Sequence, residues 1–274
     1  MRQATRCVLG QTDLGVLRRL CSTAPTGAAA PPAPAFDSLE EVLLNRRSCR
    51  KFDKSKAVAP ELLDRIVDAL VRSPTGFNLQ GWKCVVVQDE GQRRRLHKAA
   101  LSQPSVLEAP LTVVFAGDMD PAANAPATLE QGLQSGYYRS SYGSSYLRAI
   151  NYMLHGGPGN VLNVVKGAGA SWYSHATGES QLTVPCSMKA YAWKQAMIPA
   201  TNFISLAHAA GLSTCPLEGI DEEQVLNVVN LDGRRYTVPV IVACGYGDPS
   251  GLHPVPSPRL PRKHFVHIDR VNEQ

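Results

Sequence analysis

The sequence predicts an α+β fold in one compact domain, or one and a half, made of amphipathic helices and a few short valine-rich strands. With 274 residues and 44% hydrophobic content, the chain can bury a sizeable core. Apolar side chains recur at helical spacing after Pro60 and again between Ser187 and Ala210. The runs Lys83–Val87, Leu111–Ala116 and Val238–Gly245 have the composition of strands.

Residues 1–36 hold Arg2, Arg6, Arg18 and Arg19 against one acid, Asp13, and end in an Ala/Pro/Ser/Thr tract. That is the composition of a mitochondrial transit peptide, and Arg19-Leu20-Cys21 before Ser22-Thr23 looks like a matrix-protease cleavage context. Domain 37–274 follows. Ser38-Leu39-Glu40-Glu41 has the form of a capping box opening a short helix to about Asn45. Pro60, at a first helical position, precedes the stripe Leu62, Leu63, Ile66, Val67, Leu70, Val71; the helix stops before Pro74, and 74–81 reads as loop. After the first strand, Asp89 with Gln92 caps a helix carrying Leu96, and Leu111–Ala116 is the second strand. Ser187–Ala210 is the longest helix, with Pro199 as a kink and Gly211 as its stop. Leu212–Gly219 reads as a connection, Asp221 caps a helix through about Val229, and Pro239 places the last strand near an edge or the proline near the strand's start.

Residues 118–186 lack strong periodicity, are rich in glycine, and hold Tyr137, Tyr138, Tyr142, Tyr146, Tyr152, Trp172 and Tyr173. Such a stretch is expected to be a variable insertion covering a functional cleft, or a bed of structural aromatics. Seven cysteines without a CxxC pair, and seven histidines without ligand spacing, indicate neither zinc nor a disulfide framework. No run of eighteen apolar residues suggests stable membrane insertion. Four of 28 basic and one of 23 acidic residues lie in 1–36, leaving 24 against 22, which gives no reason to propose nucleic acid.

Arg46, Arg47 and Arg50 with Ser48 supply three cations and a hydroxyl within five residues, a set that suits a phosphate. Pro74-Thr75-Gly76-Phe77-Asn78 with Gln80 offers a backbone that can approach a flat ring at Gly76, and amides that can meet ring edges. Cys215 has no base near it in sequence and reads as a small buried residue.

The order of these pieces is specific. Arg-Arg-Ser-x-Arg-x-Phe, a helix, Ser-Pro-Thr-Gly-x-Asn-x-Gln-x-Trp and a valine strand together resemble the amino-terminal signature of the nitroreductase family of flavoenzymes. Ala210–Gly219 resembles the family's second signature, and Val238–Tyr246 with Arg259-Leu260-Pro261 its closing strand and basic tail.

The resemblance implies helices around a central, mostly antiparallel sheet, completed by the partner subunit's C-terminal segment in a homodimer with FMN at the interface. It implies that Arg46, Arg47, Ser48 and Arg50 hold the phosphate and pyrimidine side, with Arg259 reaching the phosphate. Pro74, Thr75, Gly76 and Asn78 would come from the other subunit, and the Glu218-Gly219 backbone would face the flavin N5 and O4. NADH or NADPH would donate hydride, a nitroaromatic or quinone would accept it in ping-pong fashion, and no catalytic group is needed beyond the flavin. Arg50 would stabilise its reduced form. Two departures stand out: Ser257 replaces a common family lysine, and Ser102-Gln103-Pro104-Ser105 lacks a family asparagine and lysine, leaving Ser102 or Gln103 to supply one hydrogen bond. A reductive dehalogenase, or a non-redox flavin-binding or flavin-consuming protein, would fit the same fold.

Overall fold

The structure is a computed structural model that describes residues 34–271. The expected targeting segment, including the Arg19–Thr23 context, lies outside the described residues except for Pro34, Ala35 and Phe36. The chain divides into two units, residues 1–41 and 42–274. Helix α1 (Pro34–Asn45) opens four residues before the expected Ser38 cap. Pro34, with its preset φ, occupies the first position and Asp37 lies in the first turn, so Ser38 is interior to the helix.

From residue 42 onward a four-stranded sheet forms the centre. Its strands are β1 (Trp82–Val87), β2 (Leu111–Asp118), β3 (Ser213–Leu217) and β4 (Tyr236–Gly245), in the spatial order β1-β2-β4-β3. All three pairings are antiparallel, as expected. Alternation along β2 supplies both faces. Leu111, Val113 and Phe115 pack with α2 (Pro60–Leu70) through Ile66 and Leu70 and with α8 (Met188–Ala209) through Ala200 and Phe203. Val114 and Ala116 face the opposite way, toward Leu96 of α3 (Glu90–Ala99) and Val225 of α9 (Glu222–Val228). The short α4 (Ser105–Glu108) joins that second layer through Val106.

The caps follow the sequence. Pro60 sits at the start of α2; Asp89, Ser187 and Asp221 accept from the backbone N–H of Gln92, Ala190 and Gln224. Gly211 takes φ +78° just past α8, a conformation that suits glycine. Pro199 is tolerated within α8.

Two further readings change, and of the two placements offered for Pro239 the one near the strand's start holds. β3 is a strand where a connection was expected; it is an edge strand, the position in which Pro216 is tolerated. β4 is interior, and Pro239 fits because the β2–β4 register shifts between Phe115 and Gly117, opposite the strand's first residues. Residues 118–186 contain three helices, α5 (Ala125–Gln134), α6 (Gly143–Leu154) and α7 (Val161–Thr177). Periodicity failed for α7 because its apolar side is outward: Val161, Val164, Val165 and Trp172 are exposed, whereas Asn163 is buried and Gly167, Ala170 and Ser174 are half-buried.

Candidate functional site

An extended arm follows α1. Ser48 forms a parallel bridge with Thr214 of β3, Cys49 N–H donates to the Thr214 carbonyl at 2.9 Å, and Phe52 bridges to Gly247. Cys49 and Phe52 are packed in the core, 0% and 4% exposed, while Ser48 and Arg50 turn to a cavity.

Ser48, Arg50 and Lys51 form one wall of a cavity of about 620 Å³. Gln103, Pro104, Ser105 and Glu108 form a second wall, and Cys215 to Glu218 at the end of β3 form the third. Gln103 Nε2 donates to the Gly219 carbonyl at 2.9 Å, which locks the α3–α4 turn onto the segment after β3. Burial pushes the Cys215 thiol above its ordinary value, against the opposing pull of a Ser105 hydrogen bond and the Arg50 charge. The thiol stays neutral, which suits a packing residue better than a nucleophile.

The predicted anion set is thereby divided. Ser48 and Arg50 share the main cavity, but Arg47 lines a smaller cavity of about 240 Å³ with Asn45 and His208, and its Nη1 donates to the His253 carbonyl at 3.2 Å. Arg46 is half-buried and lines neither. Arg259 lies in the exposed tail, donating to Ser257 Oγ at 2.8 Å, and is not part of the cavity wall. Ser102, in the left-handed region at φ +57°, stands outside the wall; its neighbour Gln103 makes the hydrogen bond instead. Among the described residues none of these arginines is in an ion pair, so their charge is available to a ligand.

The loop predicted to meet a flat ring is built differently. Phe77, Asn78 and Gln80 have φ of 54°, 54° and 51°. For residues with a Cβ this costs about 1–2 kcal/mol each, so the surroundings must hold it. Gln195 Oε1 of α8 accepts from Gly76 N–H at 2.8 Å, and Thr75 Oγ1 accepts from Gln80 N–H at 2.9 Å. Tyr146 Oη of α6 donates to the Phe77 carbonyl at 2.9 Å, and Asn124 Nδ2 donates to the Leu79 carbonyl at 2.9 Å. Glycine is required at 76 by space: a Cβ there would lie 2.6 Å from Tyr191 Oη, a buried hydroxyl with no hydrogen-bond partner among the described residues. Asn78 and Pro74 are exposed. Pro74, Thr75, Gly76 and Asn78 are not part of the wall of the 620 Å³ cavity.

The tyrosines of 118–186 divide: Tyr137, Tyr142, Tyr152 and Tyr173 are exposed, Tyr138 is half-buried and Tyr146 is buried. Tyr138, Tyr142 and Tyr146 stack with centroids 5.2–5.6 Å apart, and Tyr146 is 1% exposed. Lys51, Gln195 and Asn124 were missed as site residues; the only sequence signal was their nearness to a motif or to the insertion's start.

The Nitroreductase family model matches residues 43–246. The chain belongs to the nitroreductase family. A relative named NADH dehydrogenase, from Thermus thermophilus, is 30% identical over 85% of this chain and 96% of its own length. The Major NAD(P)H-flavin oxidoreductase of Aliivibrio fischeri is 23% identical over 82% of this chain and 94% of its own. Among solved structures, an FMN complex from Exiguobacterium sibiricum shares the nitroreductase fold with a TM-score of 0.66 at 19% identity, covering 89% of this chain and 100% of that one.

Proposed function

We propose that this nitroreductase-family chain is an FMN-dependent oxidoreductase that moves hydride from NADH or NADPH to a nitroaromatic or quinone acceptor. The observation that carries the reading is the cavity in which Ser48, Arg50 and Lys51 of the arm meet the corner locked by Gln103 and Gly219. About 620 Å³ lies in the range of small-molecule sites. Cations outside any ion pair among the described residues suit a phosphate and an electron-rich ring. The residues present thus fit FMN, which when bound supplies the hydride chemistry.

Ser48 and Arg50 would hold the cofactor's polar side, and the Arg50 cation would stabilise negative charge that develops there on reduction. Donor and acceptor taking turns at one face predicts ping-pong kinetics.

A homodimer is part of the proposal. The tail 252–271 is exposed throughout, including Phe265, Val266 and Ile268, and β1 and β3 are sheet edges. The outward apolar stripe of α7 likewise asks for cover. Among the described residues no helix is long and apolar enough to cross a membrane. Residues 1–36 are proposed as a mitochondrial targeting segment; a fluorescent fusion of that segment that stays cytosolic would sink this part.

The test of the activity is anaerobic and optical. Purified protein is expected to be yellow, to bleach with NADH or NADPH, and to regain colour with a quinone or nitroaromatic. Protein that binds no flavin, or binds it without bleaching, overturns the reading.

A further inference from the structure

We infer that residues 118–186 act as the positioning brace of loop Thr75–Gln80, with Tyr146 and Asn124 as its points of attachment; this rests on reading that loop as part of the FMN site. The loop holds three non-glycine residues in the left-handed region, so its shape depends on groups outside it. Two of its carbonyls, those of Phe77 and Leu79, receive hydrogen bonds from Tyr146 and Asn124. Asn78 lies between those two anchored carbonyls with its side chain exposed. Its direction is therefore set by the insertion.

The brace is itself stiff. Tyr146 packs with Tyr138 at 5.4 Å between centroids, and Tyr138 lies so close over Gly132 of α5 that any Cβ there would collide with its ring. Tyr146 also meets Phe77 edge-on at 6.3 Å. Burial, reinforced by Tyr138, pushes the Tyr146 phenol far above its ordinary value, so it remains a donor across the working pH range. Leu79, Ala125, Tyr146, Ile150 and Tyr191 form one apolar cluster, which welds α5 and α6 to the loop and α8. The insertion thus acts on the loop through its backbone, and Tyr146 and Asn124 are positioning residues.

The experiment uses the full chain. FMN affinity is measured by flavin fluorescence, the visible circular dichroism of the bound flavin is recorded, and Tyr146→Phe, Asn124→Ala and Asn78→Ala are compared singly and in pairs. Each brace variant is expected to weaken FMN binding on the order of 3- to 10-fold, the worth of one hydrogen bond, and to alter the flavin dichroism. Asn78→Ala should add little in either brace background, because a misdirected Asn78 has already lost its contact. Additive losses with unchanged dichroism overturn the brace while leaving the FMN site standing. Wild-type protein that takes up no FMN overturns both. If Tyr146→Phe fails to fold, the Asn124→Ala and Asn78→Ala pair reads the same coupling.

Discussion

The arm at residues 46–52, which lines the 620 Å³ cavity, and the loop at 75–80, which does not, are held by opposite constructions. The arm is fixed through its backbone, riding on Thr214, Gly247 and Gly251, and its cationic side chains are left long and unpaired. The loop is fixed through other residues' side chains, from Gln195, Tyr146 and Asn124, and its own backbone is strained. Under the proposed function the difference matches what each would recognise. A phosphate is met by charge over some range of positions, whereas a flat ring edge needs donors and backbone placed within fractions of an ångström.

The contrast predicts that small steric changes in the loop outweigh charge deletions in the arm. Gly76→Ala introduces a methyl 2.6 Å from Tyr191 Oη, an overpacking that costs about 1–3 kcal/mol. FMN affinity should fall by about 10- to 100-fold. Adding Tyr191→Phe removes that hydroxyl, which has no partner among the described residues to lose, and should restore most of the binding. Failure of this rescue would show that the loop is not held by the Tyr191 contact.

Arg50→Ala comes next. It should lower the bound flavin's reduction potential and slow bleaching by NADH even at saturating FMN, since the charge interacts most strongly after reduction. Arg259→Ala should weaken FMN binding by up to about tenfold with turnover of the loaded fraction unchanged. Equal potentials in Arg50→Ala and wild type would remove Arg50 from the ring. The smallest effect belongs to Cys215→Ser, whose thiol burial keeps neutral. Turnover should stay within about twofold, and a collapse would make Cys215 a reacting group after all.

What could be read in advance follows the same division. α2, α3, α8, β1, β2 and β4 announced themselves because caps and apolar spacing are local properties, and so did Arg50 and Gly76, which sit in contiguous motifs. β3 was hidden because Pro216 and its polar neighbours look like a turn until β4 pairs with them. α7 was hidden because its apolar side faces outward. Gln195 lies 119 residues from the amide it holds, and Tyr146 lies 69 from its carbonyl; such partners exist only once the chain has closed. The pair Arg46 and Arg47 illustrates the converse, since adjacency in sequence placed Arg47 in a different cavity from Ser48 and Arg50.

The interior pairing of β2 with β4 sets a timetable for biosynthesis. β2 ends at Asp118 and β4 starts at Tyr236, so β2 is made long before its second neighbour. At 5–20 residues per second, the delay is on the order of ten seconds. During it β2, buried along its whole length in the finished fold, has only β1 to cover one edge. A nascent chain in that state is a strand template for other chains. Its yield in a cell depends on what shields Leu111–Asp118 until the last quarter of the protein leaves the ribosome.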